Sequence, residues 1–321
     1  MALPAPLHGV IPPVCTPLDP HGEVDTASLT RLVQHLLDGG VHGLFALGST
    51  SEVAYLTDAQ RGIALETVRR AAEGRVPVLA GVIDTTTPRV LDHARRAAAL
   101  GADALVATAP FYTRTHPREI AAHFRHLRAA VDLPLVAYDI PVAVHSKLAP
   151  ELVRELAEDG TLAGLKDSSG EEGALRRLLT ALGGRTGRHR GPAPGFAVLT
   201  GSELTVDAAL LAGADGVVPG LGNVDPAAYV RLYDAARAGH WERAAAEQER
   251  LVTLFSMVDA GPESEMGRSS AALGSFKAAL SLLGVTERGT TAFPQRPLSE
   301  EAVAEVARHL RAAGLLPAPQ D

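Results

Sequence analysis

The amino-acid sequence predicts an α/β fold, namely a (β/α)8 TIM barrel with a C-terminal helical appendage. Short apolar runs alternate eight times with Ala-, Leu- and Arg-rich helical patterns within about 240 residues. Runs that are apolar throughout are typical of parallel strands covered by helices. A chain of 321 residues is long enough for one such barrel and a further helical segment. An open, doubly wound sheet is the alternative.

Turn and cap signals separate the strand–helix units. Gly39-Gly40 ends the first helix, Thr57 is a plausible N-cap of the second, and Pro88 opens the third where proline is tolerated. The predicted strands cover residues 10–16, 43–47, 77–83, 104–108, 134–138, 162–166, 196–200 and 216–218. The helices that follow them begin near residues 26, 58, 88, 117, 150, 171, 204 and 226.

The chain is predicted to divide near residue 240. Residues 1–240 form the barrel and carry the catalytic site, and residues 241–321 form helices that pack on the barrel or on another subunit. These helices are expected near residues 241–258, 270–283 and 299–313. Residues 183–195 and 259–269 contain too few apolar side chains to pack and are expected to be surface insertions.

Composition restricts the partners of the protein. The net charge of −7 disfavours nucleic acid and anionic membranes, so neither is expected to bind. The single cysteine, Cys15, excludes an internal disulfide and a multi-cysteine metal site. No apolar run approaches the ~18 residues that span a bilayer, and residues 1–9 lack a signal-peptide pattern. We therefore expect a soluble, cytoplasmic protein.

The most informative stretch is Leu162–Gly170, an apolar strand that ends in Lys166 before a turn into a helix. Lysine is rare here: Lys147, Lys166 and Lys277 stand among 30 Lys and Arg residues. Unlike arginine, a desolvated lysine can lose its proton and attack a carbonyl to form a Schiff base. A snorkelling or salt-bridged lysine is the alternative. Lys166 is therefore a candidate nucleophile.

The other candidates lie at the carboxyl ends of the strands, where barrel active sites form. Gly48–Glu52 carries hydroxyls and amides that could hold a carboxylate, or is simply a capping turn. Tyr112 and Tyr138 could relay protons, or could be half-buried amphipathic side chains. Gly201 would let the backbone approach a ligand, or would simply make a turn.

Known cofactor motifs are missing from the sequence. There is no P-loop, no Gly-x-Gly-x-x-Gly after the first strand and no His-Glu-x-x-His. Of the 12 histidines only His145 lies just beyond a strand end. Glu119, His123 and His126 share a helical face, which is more typical of a solvated face than of a metal site. The sequence therefore favours amine catalysis over metal catalysis, and no metal is predicted.

Several stretches, in order and at matching spacing, resemble the family of dihydrodipicolinate synthase and N-acetylneuraminate lyase. These enzymes are pyruvate-dependent, Schiff-base-forming class I aldolases on a (β/α)8 barrel. The resemblance covers nearly the whole chain. The stretches that carry it are Thr16-Pro17-Leu18-Asp19, Gly48-Ser49-Thr50-Ser51-Glu52, Pro110-Phe111-Tyr112, Tyr138-Asp139-Ile140-Pro141 and Gly164-Leu165-Lys166-Asp167-Ser168-Ser169-Gly170.

The resemblance implies roles for individual residues. Lys166 would form a covalent imine with a 2-oxo acid, so no other cofactor is expected. Tyr138 would shuttle protons, and Thr50 would link it to Tyr112, which reaches in from a neighbouring subunit. Further roles follow for the pocket: Ser49 and Thr50 would bind the pyruvate carboxylate, and Gly201 and the backbone of Val218 would line the site. A homo-oligomer, dimer or tetramer, is implied as well.

Three positions depart from the family pattern. Ser51 stands where glycine is usual, Asp139 where asparagine is usual, and Ala143 where the synthases carry an arginine that binds the carboxylate of the aldehyde substrate. Loss of that guanidinium should weaken binding of an amino-acid semialdehyde. His145 and Ser168 are expected instead to contact hydroxyls of a substrate similar to a sugar acid.

The sequence therefore predicts a lyase that acts on pyruvate or a related 2-oxo acid through a Schiff base. The reaction would be aldol addition or cleavage, or dehydration of a 2-keto-3-deoxy acid. Three alternatives remain. One is a dihydrodipicolinate synthase, one is a 2-oxo-acid-binding sensor without turnover, and one is a barrel enzyme that uses pyridoxal phosphate.

Overall fold

The computed structural model describes residues 3, 4, 6–187, 191 and 193–318. Its eight strands form one parallel sheet in the order β1-β8-β7-β6-β5-β4-β3-β2. At the remaining edge Pro13, just beyond β1, forms a parallel bridge with Phe45 of β2, and the Val14 N–H donates to the Phe45 carbonyl at 2.9 Å. The sheet is thereby closed, and the predicted (β/α)8 barrel is confirmed.

The strands coincide closely with the predicted ones except at the first. The predicted strand over residues 10–16 is too long, because Pro12 and Pro13 have no N–H to donate to a sheet ladder. The strands are β1 Gly9–Val10, β2 Leu44–Ala46, β3 Val78–Gly81, β4 Ala104–Thr108, β5 Leu135–Asp139, β6 Gly164–Asp167, β7 Ala197–Thr200 and β8 Gly216–Val217.

Helix starts follow the predicted cap signals. Thr57 caps the second helix in a capping box with Gln60, as its position predicted, and Asp25 accepts from the Ser28 N–H at the first. The helices are α1 Thr26–Asp38, α2 Asp58–Ala72, α3 Thr87–Ala99, α4 Pro117–Ala130, α5 Pro141–Val144, α6 Pro150–Glu158, α7 Glu172–Ala181, α8 Gly184–Gly187, α9 Val206–Ala212, α10 Pro226–Arg237, α11 Trp241–Phe255, α12 Arg268–Leu282 and α13 Glu300–Ala312.

Two hydrophobic layers surround the strands. Side chains alternate between the barrel interior and the helical layer, as the pleat of a strand requires. The interior layer is small. At the carboxyl end of the barrel it ends in Tyr138, whose hydroxyl is a polar group at that end. Its members are Leu7, Ile11, Phe45, Leu79, Ala104, Val106, Val136, Tyr138, Ala197, Leu199 and Val218.

The C-terminal helices pack on the barrel. α11 contacts α9 and α10, α12 contacts α13 and the short 3-10 helix Leu221–Asn223, and Leu251 and Leu273 belong to the core between barrel and helices. The division into domains 1–240 and 241–321 stays a prediction. Of the expected surface insertions, residues 188–190 and 192 lie outside the described residues.

Among the described residues, no helix combines the length and the apolar character needed to cross a membrane. The expected cytoplasmic location stays a prediction.

Candidate active site

Lys166 lies inside the barrel mouth. It is the third residue of β6, its side chain is 5% exposed, and its Nζ lies 3.9 Å from the centroid of the Tyr138 ring and 4.9 Å from that of Phe45. Lys147 and Lys277 form ion pairs with carboxylates, whereas no described carboxylate pairs with Lys166. The amine is therefore neither a snorkelling group nor half of a salt bridge, and it faces aromatic surfaces.

Tyr138 is the neighbour of Lys166 across β5 and β6, where the two residues are register partners. Its hydroxyl lies 3.4 Å from Ser49 Oγ. Burial opposes ionisation of the phenol, but the positive charge of Lys166 and hydrogen bonds with Ser49, Lys166 and Ser168 outweigh it and lower the pKa of Tyr138. The phenol is therefore in position to exchange a proton with a group on Lys166.

The turn Gly48–Glu52 after β2 is built on strained backbone. Leu47 and Glu52 adopt left-handed conformations with φ of 60° and 59°. The buried Ser51 side chain stabilises the turn, because its Oγ donates to the Val14 carbonyl at 2.6 Å and accepts from the Gly48 N–H at 3.1 Å. The serine that replaces the usual glycine is therefore a structural element of the turn.

The same turn presents two hydroxyls at the barrel mouth. Ser49 is exposed and Thr50 is half-buried. Behind them, Glu52 forms a buried ion pair with Lys277 of α12 and accepts a hydrogen bond from the Ala292 N–H at 2.7 Å. The C-terminal region thus fixes the turn from which Ser49 and Thr50 project.

Ser168 and Gly201 approach each other closely beyond β6 and β7. A Cβ on Gly201 would lie 2.0 Å from Ser168 Oγ, so any side chain there would displace the serine. The Gly201 N–H donates to the Asp167 carbonyl at 2.7 Å. Val218 is buried in the interior layer, and its N–H donates to the Thr200 carbonyl at 2.8 Å. These three predicted residues therefore share the mouth of the barrel with Tyr138 and Lys166.

Two predicted site residues point elsewhere. Tyr112 is 92% exposed and has a φ of 77°, a left-handed backbone that is rare for an aromatic residue. His145 is exposed and ends α5, also with a left-handed backbone. Among the described residues, the hydrogen-bond partners of the Tyr138 hydroxyl are Ser49, Lys166 and Ser168, and neither Thr50 nor Tyr112 is one of them. The roles predicted for Thr50, Tyr112 and His145 stay predictions.

Thr108 was missed by the sequence analysis. It is the register partner of Tyr138, which in turn is the partner of Lys166, so the three residues share one row across β4, β5 and β6. Thr108 is 3% exposed, and its hydroxyl has no hydrogen-bond partner among the described residues. The signal was available: residues 104, 106 and 108 alternate inward along β4.

Glu203 and Tyr229 were missed as well. The half-buried Glu203 carboxylate accepts hydrogen bonds from the Tyr229 hydroxyl and from the N–H groups of Gly220 and Leu221. Burial raises the pKa of Glu203, although these donors and the charge of Lys166 act in the opposite direction. Glu203 therefore holds the loop after β8 against the loop after β7.

Asp139 faces the helical layer, beside the site. Its buried carboxylate forms an ion pair with Lys147 and accepts from the Leu148 N–H at 3.1 Å. Burial raises the pKa of Asp139 despite this partner. The aspartate that stands for the usual asparagine is therefore accompanied by a cation, and the pair anchors the segment that contains α5 and Ala143.

The helical face with Glu119, His123 and His126 was expected to be solvated. This expectation is wrong for His123. His123 is buried, its Nδ1 lies 2.9 Å from the Thr87 hydroxyl, and burial lowers its pKa to about 4. Within the described part of the chain, no group of three or more His, Cys, Asp or Glu side chains could hold a metal ion. The predicted absence of a metal stays a prediction.

Two cavities open at the carboxyl ends of the strands. One of about 360 Å³ lies over β2 to β5 and is lined by Ser49, Thr50, Ala143, helix α12 and Gln295. The other, of about 330 Å³, lies between α7 and α9 and is lined by Ser168 and Gly201 among others. Both reach residues of the predicted site.

A closed parallel barrel with a buried lysine amine beside a phenol at its carboxyl end is the architecture of a (β/α)8 barrel enzyme. The chain belongs to the dihydrodipicolinate synthetase family, whose family model matches residues 6–313. Members of this family are class I lyases or aldolases, and the chain is an enzyme of this class. The resemblance predicted from the motifs is confirmed.

Two relatives share most of their length with the chain. An uncharacterized DapA-like lyase of Halobacterium salinarum is 34% identical over 98% of this chain and 96% of its own. A 4-hydroxy-tetrahydrodipicolinate synthase of Stenotrophomonas maltophilia is 35% identical over 76% of this chain and 79% of its own.

Solved structures agree with the fold. YagE, a prophage protein of this family from E. coli, superposes with a TM-score of 0.87 at 28% identity and covers 96% of this chain and 99% of its own. Dihydrodipicolinate synthase from Bacteroides thetaiotaomicron superposes with a TM-score of 0.87 at 32% identity and covers 97% and 100%.

Proposed function

We propose that the protein is a Schiff-base lyase that acts on pyruvate or a closely related 2-oxo acid. One observation carries the proposal: the Lys166 amine, without a carboxylate partner among the described residues, lies against the Tyr138 ring inside the barrel mouth. This amine attacks the C2 carbonyl, water leaves, and a protonated imine remains. Tyr138 supplies and accepts the protons of this step. The hydroxyls of Ser49 and Thr50 hold the carboxylate.

The imine makes carbon–carbon bond chemistry possible because it withdraws electrons from C3. Loss of a C3 proton gives an enamine, whose C3 attacks the carbonyl carbon of an aldehyde while the aldehyde oxygen takes up a proton. Hydrolysis of the imine by water then releases a 4-hydroxy-2-oxo acid and restores the Lys166 amine. The reverse sequence cleaves the same bond. In the dehydratase version, the enamine of a 2-keto-3-deoxy acid expels the C4 hydroxyl, which takes up a proton and leaves as water.

Pyruvate is supported as the first substrate by a relative. YagE, 28% identical, is described in complex with pyruvate. The second substrate differs, in our proposal, from that of the relatives named 4-hydroxy-tetrahydrodipicolinate synthase. Ala143 is exposed and uncharged where the resemblance implies an arginine for the carboxylate of an amino-acid semialdehyde. Condensation of pyruvate with aspartate semialdehyde is therefore the alternative, and its efficient turnover would show that Ala143 does not decide the acceptor.

The active form is proposed to be a homo-oligomer, a dimer or a tetramer. An almost fully exposed tyrosine on a left-handed backbone, Tyr112, is suited to reach a neighbouring subunit. The family also contains a monomeric dihydrodipicolinate synthase variant, 25% identical to this chain, so the assembly needs its own measurement.

The test is the mass of the intact protein after incubation with pyruvate and borohydride. The wild type should gain one reduced pyruvate adduct, and Lys166→Ala should gain none. Lys147→Arg is the matched control, because it removes a second amine while it retains a cation for Asp139. An adduct on Lys166→Ala, or none on the wild type, would reject the proposal.

A further inference from the structure

The α5 segment, residues 140–147, follows β5 and forms one wall of a cavity at the barrel mouth. Its side chains Ile140, Ala143 and Val144 line the cavity over β2 to β5, together with residues of the turn Gly48–Glu52. The position of this segment therefore sets the width of the cavity on the side of β5.

The α5 segment is weakly tied to the strands. Among the described residues, its backbone hydrogen bonds stay within it: the N–H groups of residues 143–145 donate to the carbonyls of Ile140 and Pro141 at 2.8 to 3.1 Å. Val144 is the one buried side chain of the segment. These contacts shape the helical turn, but they do not fix its place on the barrel.

Asp139 and Lys147 close the segment at its base. The Asp139 carboxylate is fully buried, forms an ion pair with Lys147 Nζ and accepts from the Leu148 N–H at 3.1 Å. Lys147 Nζ also donates to the Leu148 carbonyl at 3.3 Å. Among the described residues, these polar contacts join the end of the segment to β5, so residues 139–148 form a closed loop.

Tyr138 does not depend on this closure. It is the register partner of Thr108 in β4 and of Lys166 in β6, so β5 is held from both sides at this point. Loss of the Lys147 cation should therefore shift the cavity wall and leave the phenol beside the amine. A buried ion pair adds little net stability, because desolvation offsets the attraction, and fixing one conformation is its better-attested use.

We infer that Asp139 and Lys147 are positioning residues, whose pair holds the α5 segment in place as a wall for the second substrate. This inference rests on the proposed function, because it assigns the segment to the acceptor and leaves imine formation with pyruvate to Lys166 and Tyr138. Neither residue of the pair touches a substrate.

The first test is amide hydrogen exchange at residues 143–145, measured by mass spectrometry of peptides from the free protein. Lys147→Met should speed exchange by about tenfold, the effect of one lost hydrogen bond to a charged group. Lys147→Arg keeps the cation and should keep the protection. Arg154→Met is the matched control, because it removes a cation from an exposed pair with Glu158 on α6.

A double variant separates positioning from stability. Asp139→Asn combined with Lys147→Met leaves no unpaired buried charge, so its free energy of unfolding should recover toward that of the wild type. Exchange at residues 143–145 should nevertheless stay as fast as in Lys147→Met, since the tie to Lys147 is still missing.

The second test separates the two half-reactions. In D2O, pyruvate exchanges its C3 protons through the imine and enamine without an acceptor, and Lys147→Met should keep the wild-type rate. With glyceraldehyde or aspartate semialdehyde, whichever the wild type converts faster, kcat/KM should fall by roughly 10- to 100-fold, mainly through KM, because a displaced wall misplaces the acceptor.

The outcomes separate the inference from the proposed function. Unchanged amide exchange in Lys147→Met, wild-type exchange in the double variant, or an equal loss of both half-reactions would overturn the positioning role. If the wild type exchanges no C3 protons, the proposed function fails. In that case, or if the wild type converts neither aldehyde, amide exchange alone decides. Should Lys147→Met fail to fold, the double variant replaces it in each measurement.

Discussion

The phenol of Tyr138 lies against the Lys166 amine, and this contact sets the pH range in which it can donate a proton. The pKa of Tyr138 is lowered from the usual 10.0, and the protonated form is lost as pH rises through the pKa. The alkaline limb of kcat/KM, which reports the free enzyme, should therefore fall below pH 10. Tyr138→Phe should remove this limb and reduce kcat about 100-fold, as measured by a pH–rate profile.

The control is Tyr233→Phe, which alters a buried tyrosine whose pKa is raised by burial and which packs on His42. This variant should keep the alkaline limb. A Tyr138→Phe enzyme with an unchanged profile would show that another group carries the proton.

At the level of single residues, the sequence predicts those site residues that an unusual residue type and a position at a strand end mark together. Lys166 is conspicuous because lysine is rare and this one ends an apolar strand. Thr108 also ends a strand, but a threonine there is ordinary, and its significance comes from an unsatisfied hydroxyl in the row of Lys166. His145 was predicted as a site residue from its position after a strand alone. In the structure it is exposed and ends α5 with a left-handed backbone.

Helix α12 is joined to the turn Gly48–Glu52 by a buried ion pair between Lys277 and Glu52. Removing one partner leaves an uncompensated buried charge. Lys277→Met should therefore lower the free energy of unfolding by about 3–5 kcal/mol, measured by denaturant titration. Glu52→Gln added to Lys277→Met should restore part of the loss, because the remaining charge is neutralised.

Arg308→Met is the matched control, since it removes a cation from an exposed pair with Glu305 and should change stability little. Equal effects of Lys277→Met and Arg308→Met would contradict the assigned importance of the buried pair.

Elements were predicted well wherever the signal is local. The start of α2 follows from the capping residue Thr57, and the starts of α4 and α6 follow from prolines. The pair of Lys277 with Glu52 could not be predicted, because it joins residues more than 200 positions apart. The four-residue helix α5 was missed, since one helical turn leaves no periodic pattern.

For the whole molecule, the barrel follows from eight repeated units, and its carboxyl end follows from the fold. The cavity over that end could not be predicted, because its roof comes from α12 and Gln295, far along the chain from Ser49. Local sequence patterns therefore predict the barrel class and the candidate nucleophile, whereas the shape of the cavity over β2 to β5 depends on long-range packing.

The assembly of subunits is a property of the whole molecule, and variants of Tyr112 can test whether one subunit completes the site of another. If Tyr112 completes the site of a neighbouring subunit, Tyr112→Phe and Lys166→Ala should each be nearly inactive alone. Co-expressed in equal amounts, they should recover roughly a quarter of wild-type activity, because half of random dimers contain one intact site of two. Light scattering on the same sample gives the subunit number. A monomer, or a mixture no more active than its parts, would assign Tyr112 to its own subunit or to no site.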